Sequence, residues 1–529
     1  MSPRPGFVLD VDSSTPPTLF WQGERFTLEK LPEGSRVIYA PEPIDPLTDP
    51  QAAIRHALTH PLGDQEPLPA LLSAGMRLTI AFDDISLPLP PMERPDIRQL
   101  VIEQVLDMAA EAGVDDVELI VALALHRRMT EPELRHALGD RIYDAFAPNG
   151  LLTQHDAEDP DNLLHLGQTD QGEDVEINTR AAGSDLLVYV NINLVAMDGG
   201  HKSVATGLAS YKSLRHHHNP ETMRKSKSFM DQHRSELHSA NWRMGRLIRD
   251  AGVKVFQIET TLNNDTFPGA FQFLQKREWE WKAKDRLAYV AASSALDRVP
   301  AKHARKIFHG VKAPHRMTSV QAGEVEAVHA VTTANVWEQQ GVVVEGQTDI
   351  LTMGLPYISP YNVNSILNPI LVACLGLGYF FNLYRGKPLV REGGVLIMTH
   401  PTPWEFNPVH HPSYIDFFEQ VLSETTDPNV MSEQFEEGFA TDPWYIHLYR
   451  TGHAYHGVHP FYMWYWCAHA LQHLGAVIIV GGDPKAVHRL GFRAASTLAD
   501  ALEMAKDVVG ASPTLTHLHA PPILMADVQ

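Results

Sequence analysis

A few histidines, a pair of acids and a lysine beside two glycines carry the chemistry that this sequence offers. His126 follows the apolar run Val117–Leu125, and an imidazole at the end of a strand can act as a general base, since its pKa lies near neutrality. Asp83 and Asp84 close a second apolar run, Arg77–Phe82. Asp84 can orient a ligand hydroxyl or the histidine by hydrogen bonding; it can equally be an ordinary turn aspartate. Lys202 stands behind Gly199, Gly200 and His201. Glycine lets backbone approach a bulky group closely, and a desolvated lysine is a competent nucleophile. Taken alone, this motif also fits a plain turn before a helix. His216, His217 and His218 are a metal site or a solvated run; three consecutive residues of regular structure cannot all face one ion, and His218 is the chosen ligand. The second half adds His400, His410, His411, His453, His456 and His459 among Trp404, Trp444, Tyr445 and Tyr455. These suit a water-excluding surface facing a substrate. The spacing His453-x-x-His456-x-x-His459 lacks the helical i, i+4 pair and the glutamate of a zinc hydrolase.

The elements that must position these groups alternate. Arg77–Phe82, Val117–Leu125, Leu186–Ile192 and Gly252–Thr260 read as buried strands. Between the first two, Asp96 is a suitable N-cap for a helix carrying Ile97, Leu100, Val101, Val105 and Met108 on one face, and Gly113 stops it. Thr130-Glu131-Pro132-Glu133 is a capping-box signature for the next helix. Thr18–Pro41 suggests a small antiparallel β element that opens the first domain. Asp349–Gly354, Gly394–Met398 and Gly475–Val480 are strands of a second α/β unit, Lys276–Arg286 reads as charged helical material, and Ile366–Phe381 as a buried helix. The expected fold is therefore two α/β domains with mainly parallel sheets and an active-site cleft between them, divided into residues 1–290 and 291–529. Ligands of such sheets bind beyond the carboxyl ends of the strands, where Asp83, Asp84, His126 and the Gly-Gly-His-Lys segment fall.

Composition narrows the function. A formal net charge of −21 repels nucleic-acid backbones and anionic lipid surfaces, and the short basic stretch Arg224–Lys227 reads as a solvated helix face. Two cysteines are too few for a disulfide framework or a cysteine-rich metal site, which fits a reducing cytoplasm. Met1–Asp10 shows no secretory pattern. No Gly-x-Gly-x-x-Gly joins a strand to a helix, which argues against an ordinary NAD-dependent dehydrogenase.

Several segments together resemble the nickel-dependent lactate racemase family. They are His60-Pro61-Leu62-Gly63, the strand ending in Asp83-Asp84-Ile85-Ser86, Leu125–Thr130, His155–Asp159, and Gly199-Gly200-His201-Lys202 followed by Gly207–Tyr211 and His216–His218. The resemblance implies a soluble isomerase that inverts a 2-hydroxy acid or related alcohol by proton-coupled hydride transfer. It implies a nickel pincer nucleotide, a pyridinium-3,5-bisthiocarboxylic acid mononucleotide, tethered to Lys202, with Gly199, Gly200 and Asp83 beside it. His218, sixteen residues after Lys202, corresponds to the family's nickel ligand. Sulfur ligands would come from the cofactor, as no cysteine lies nearby in the sequence. With the resemblance, His126 is the expected catalytic base. Cofactor-maturation proteins are implied partners.

The sequence departs from the family at the substrate. The arginine that would grip the substrate carboxylate falls at Leu87, the second catalytic histidine falls at Ile192, and the glutamine and lysine of the second domain fall near Asn362 or Asn364 with no lysine in place. The expected substrate is a 2-hydroxy acid or polyol-acid other than lactate, with the second acid/base drawn from His201 or from a histidine of the second domain. Two alternatives stand beside this reading: a net oxidoreductase using the same cofactor, and a non-catalytic cofactor-binding homologue.

Overall fold

The computed structural model describes residues 7–86 and 90–529; Leu87, Pro88, Leu89 and the first six residues lie outside the described set. The fold is mixed α/β and built on two large, mainly parallel sheets. Six strands form the first, in the order Met317–Gly323, Val255–Leu262, Leu186–Asn193, Arg77–Asp83, Asp116–Ala122, Leu152–Gln154. All neighbours are parallel except the Met317–Gly323 edge. Every residue of the central Leu186–Asn193 strand is buried, as expected of a strand covered on both faces.

Chain order reverses in this sheet between Arg77–Asp83, whose successors lie to one side, and Leu186–Asn193, whose successor lies to the other. At such a switch point the flanking connections depart to opposite sides and leave a crevice beyond the carboxyl ends. Asp83 and Asp84 stand on one lip, Asn191 and Asn193 on the other.

The helices that cover the sheet begin where the sequence marks them. Asp96 caps Ile97–Glu111 by accepting from the Arg98 N–H, and Gly113 follows its end with φ +74°. Thr130 and Glu133 form the capping box of Glu131–Phe146. The segment Ile366–Phe381 is buried and helical from Pro369, passing through α, π and 3-10 turns. Among the described residues no helix is long and apolar enough to cross a membrane.

The second sheet runs Val8–Asp10, Arg36–Tyr39, Leu515–His519, Thr348–Pro356, Val390–Thr399, Ala476–Val480, Arg493–Ala495. The hairpin Thr18–Gly23/Arg25–Glu29 joins it alongside Thr348–Pro356. Two expectations change here. The antiparallel element near the N-terminus joins the second sheet, where Arg36–Tyr39 pairs with Leu515–His519 and Thr18–Gly23 with Thr348–Pro356. Met317–Gly323 lies at the edge of the first sheet, against Val255–Leu262. Lys276–Arg286 is not helical throughout: Glu278–Glu280 is a 3-10 turn, and the α-helix starts only at Ala283, where Asp285 accepts from the Lys282 N–H.

One buried ion pair fixes the end of the Arg77–Asp83 strand. Arg98 reaches Asp96 through two hydrogen bonds of 2.9 and 2.8 Å and donates to the backbone carbonyls of Asp83 and Asp84. Both side chains are almost fully buried. Removing one partner strands a buried charge, typically costing about 3–5 kcal/mol. Arg98→Met is therefore expected to lower unfolding stability by that amount in urea denaturation, and a loss under about 1 kcal/mol would contradict the assignment.

Candidate active site

Asp84 leaves the Arg77–Asp83 strand and accepts a hydrogen bond from His126 Nδ1 at 2.9 Å. Ser86 adds its N–H and its hydroxyl to the same carboxylate. Burial pushes the Asp84 carboxyl upward, but the charge and hydrogen bond of His126, with those from Ser86, outweigh it and hold the group below its usual range. An ionised carboxylate only accepts, so Nδ1 carries the ring hydrogen. His126 Nε2 is left for other work on a side chain still 22% exposed.

His126 does not sit directly on its strand. That strand stops at Ala122, and Ala124 turns the chain with φ +51°, a region uncommon for non-glycine residues. Bonds from the second half hold this turn: the Tyr449 hydroxyl donates to Ala124 O, the His456 N–H to Leu125 O, and His453 Nδ1 meets Arg128 O at 3.0 Å. Arg127 is buried against Glu133 and also donates to Val363 O. The base is thus positioned at the seam by residues from both sheets.

An aromatic wall from the second half faces it. Ring centroids of Tyr361, His459 and Tyr455 lie 5.2, 5.5 and 6.1 Å from that of His126. The wall continues without a break. Tyr361 shares a 2.7 Å hydrogen bond with Tyr379, Tyr379 stacks on Trp466 at 5.5 Å, and Trp466 meets His218 at 6.0 Å. His218 also stacks on Tyr462 at 5.3 Å.

His218 Nδ1 lies 2.8 Å from His217 Nδ1. Burial, then the charges of His217, Lys202 and His126, hold His218 neutral well below its usual pKa. Neutral imidazole is the metal-binding form. Lys202 Nζ rests 3.4 Å from Met197 O and 3.6 Å from Asp198. Gly199 and Gly200 turn the chain before it with φ +85° and +61°. A Cβ on Gly199 would come within 2.5 Å of Glu259 Oε1, and one on Gly200 within 2.7 Å of His329. The glycines are therefore needed for close protein packing behind Lys202.

Two residues take other positions than the sequence reading gave them. Asp83 is turned into the crevice between the strands, accepting from Asn191 Nδ2, the Ile192 N–H and the Tyr189 hydroxyl; burial raises its pKa to about 7. It clasps the switch point shut. His201 packs against the helix at Gly245, where a Cβ would lie 2.2 Å from its Nδ1, and bonds Glu326 at 3.2 Å. It is not brought to His126, because residues 199–202 form a turn that sends consecutive side chains to different sides. His400 is likewise elsewhere, bonded to Thr402 N–H and beside Gly23. Leu87 lies outside the described residues. Sequence reasoning missed Tyr361 and Tyr379 altogether; nothing local marks them, since they meet His126 only through the second half.

Comparison with known proteins agrees with this geometry. Residues 23–231 match the lactate racemase N-terminal domain family. A lactate racemase of Lactiplantibacillus plantarum is 28% identical over 182 residues, 34% of this chain and 40% of that protein. One from Thermoanaerobacterium thermosaccharolyticum is 25% identical over 31% of this chain and 37% of that protein. The match thus spans about 40% of these curated relatives' length. The structure of the lactate racemase apoprotein from the latter organism superposes with a TM-score of 0.61 at 17% identity, covering 96% of this chain and 99% of that one. A protein from Thermotoga maritima gives a TM-score of 0.51 at 12% identity, over 92% of this chain and all of that one. The chain is thus similar to lactate racemases in part of its sequence. The family match includes Asp84, His126, Lys202 and His218, whereas the likeness of fold extends over nearly the whole chain.

In this lactate racemase-like protein Glu133 ties the seam together. It accepts from Arg127, the Thr130 N–H and Asn364 of the second half. Burial opposes ionisation, but these donors hold its pKa near about 2. The depressed value means that its stabilisation is complete above the unfolded value near 4.5 and vanishes as pH falls through about 2. Glu133→Gln should cost roughly 3 kcal/mol at pH 7. Its deficit relative to the parent protein should shrink steadily between pH 4.5 and 2 when followed by circular dichroism; a deficit independent of pH would contradict the assignment.

Proposed function

We propose that this chain is a racemase or epimerase acting on a 2-hydroxy acid or polyol-acid other than lactate, with a nickel pincer nucleotide tethered to Lys202. The carrying observation is the Asp84–His126 pair facing a run of aromatic rings, Tyr361, Tyr379 and Trp466, that reaches His218.

The residues present fit such a group. Lys202 would anchor it and His218 Nε2 would ligate its metal. Among the described residues no three His, Cys, Asp or Glu side chains are grouped to hold a metal ion, so the remaining ligands must come from the organic group itself. When bound, that group supplies a reversible acceptor for hydride.

The protein's own part is proton handling and exclusion of water. His126 Nε2 takes the hydroxyl proton as the carbinol becomes a carbonyl, and Asp84 stabilises the imidazolium that results. Tyr361, Tyr455 and His459 wall the site from solvent, which strengthens each electrostatic contact inside. The nearest buried arginines are committed: Arg98 to Asp96 and Arg127 to Glu133. Recognition of substrate therefore falls to hydroxyls and imidazoles, which suits a hydroxyl-bearing substrate larger than lactate. The reading includes maturation proteins as partners and a reducing cytoplasm, supported by two buried free cysteines.

The test is to produce the chain in cells that build the cofactor, then measure intact mass, nickel content and interconversion of 2-hydroxy acid and polyol-acid enantiomers. One adduct on the Lys202 peptide and one nickel per chain are expected, and both should disappear in Lys202→Ala. His126→Gln should keep the adduct while losing about 10²–10⁴-fold in turnover. Nickel-free chain lacking an adduct would sink the proposal, and stoichiometric release of ketone would turn it into a net oxidoreductase.

A further inference from the structure

The wall opposite His126 holds a second imidazole with a nitrogen to spare. His459 Nδ1 is occupied by the Tyr414 hydroxyl at 2.6 Å, but its Nε2 is buried with no hydrogen-bond partner. Buried polar atoms almost always have partners, so an exception calls for an explanation. The ring stands edge-on to His126 at 83° with centroids 5.5 Å apart. It is held there by Tyr455 at 4.5 Å and Tyr361 at 4.8 Å.

Other histidines of this half are engaged or set against other residues: His410 also keeps a buried Nδ1 without a partner, but its ring lies against His411 at 6.3 Å. His456 bonds Glu158, His453 meets Arg128 O, and His411 bonds Tyr361 O. His400 also has an unpartnered Nε2, but it packs beside Gly23. Burial, then the charges of His126, His411, His218 and His456, keep His459 neutral, the form able to accept a proton.

We propose that His459 is the second acid–base residue of the site, acting on the substrate oxygen of one enantiomer while His126 acts on that of the other. The proposal rests on the racemase reading above. In one direction the substrate O–H bond breaks to His459 Nε2; the cofactor, when bound, would supply the acceptor that takes the carbinol hydrogen with its electron pair and returns it to the opposite face of the same carbon. The new O–H bond forms with a proton from the His126 imidazolium. His459 ends with one proton more and His126 with one fewer; the reverse reaction, or exchange through water, restores them. No net oxidation occurs.

The test uses nickel-loaded protein and a single-turnover trap for ketone with phenylhydrazine, run separately on each enantiomer of the hydroxy acid or polyol-acid that the parent enzyme converts. His459→Gln is expected to lose at least 100-fold in ketone formed from one enantiomer and to stay within tenfold for the other. His126→Gln should show the reciprocal pattern. A merely positioning role would slow both enantiomers alike, and that result, or an unaffected His459→Gln beside an active parent, overturns the proposal alone. A loaded parent that converts no substrate overturns the racemase reading and this proposal with it. Independently of activity, ¹⁵N NMR of the unloaded chain should show His459 Nε2 without a hydrogen at pH 7; a neutral ring carrying its hydrogen on Nε2 overturns the assignment. Should His459→Gln fail to fold, Tyr414→Phe keeps the ring in place and frees its tautomer, and a loss confined to the same enantiomer is the expected result. Equal loss for both enantiomers in that variant overturns it.

Discussion

A buried, ionised carboxylate beside an imidazole is the constraint on which this structure turns. Asp84 stands at the end of a fully covered sheet, where a lone charge would be expelled or neutralised. It persists because His126 and Ser86 supply three hydrogen bonds, and because Arg98 pins the carbonyls on either side of it. That arrangement decides which nitrogen of His126 is free and which way it faces. The acid/base capacity of the site follows from how the strand end is held.

The two halves divide the labour at the seam. The first provides the switch-point crevice, the glycine turn before Lys202 and the His217–His218 segment. The second provides the phenols and indoles that close the cleft, and its backbone groups clamp the turn that carries His126. Neither half alone makes a site. The strained Ala124 conformation survives because Tyr449 and Gly207 bond its carbonyl and its N–H.

The comparisons fall along the same division. Sequence likeness to lactate racemases covers residues 23–231, where Lys202 and His218 lie, while the likeness of fold extends over nearly the whole chain. On the proposed reading, the first half would hold the cofactor and the wall from the second half would meet the substrate.

How much of this was written in the sequence depends on the range of the forces involved. Buried strands, the Asp96 cap, the Thr130–Glu133 box and the run of candidate residues were legible, because hydrophobic periodicity and capping act within a few residues along the chain. The alliance of Asp84 with His126 was one of several roles open to Asp84 in the sequence, and its bond is shown only in three dimensions. The placement of Val8–Tyr39 in the second sheet, the diversion of His201 and Asp83, and the wall of Tyr361, Tyr379 and His459 were not legible. They are fixed by strand pairing and side-chain packing between segments hundreds of residues apart, and no local pattern encodes which distant edge or ring a residue will meet.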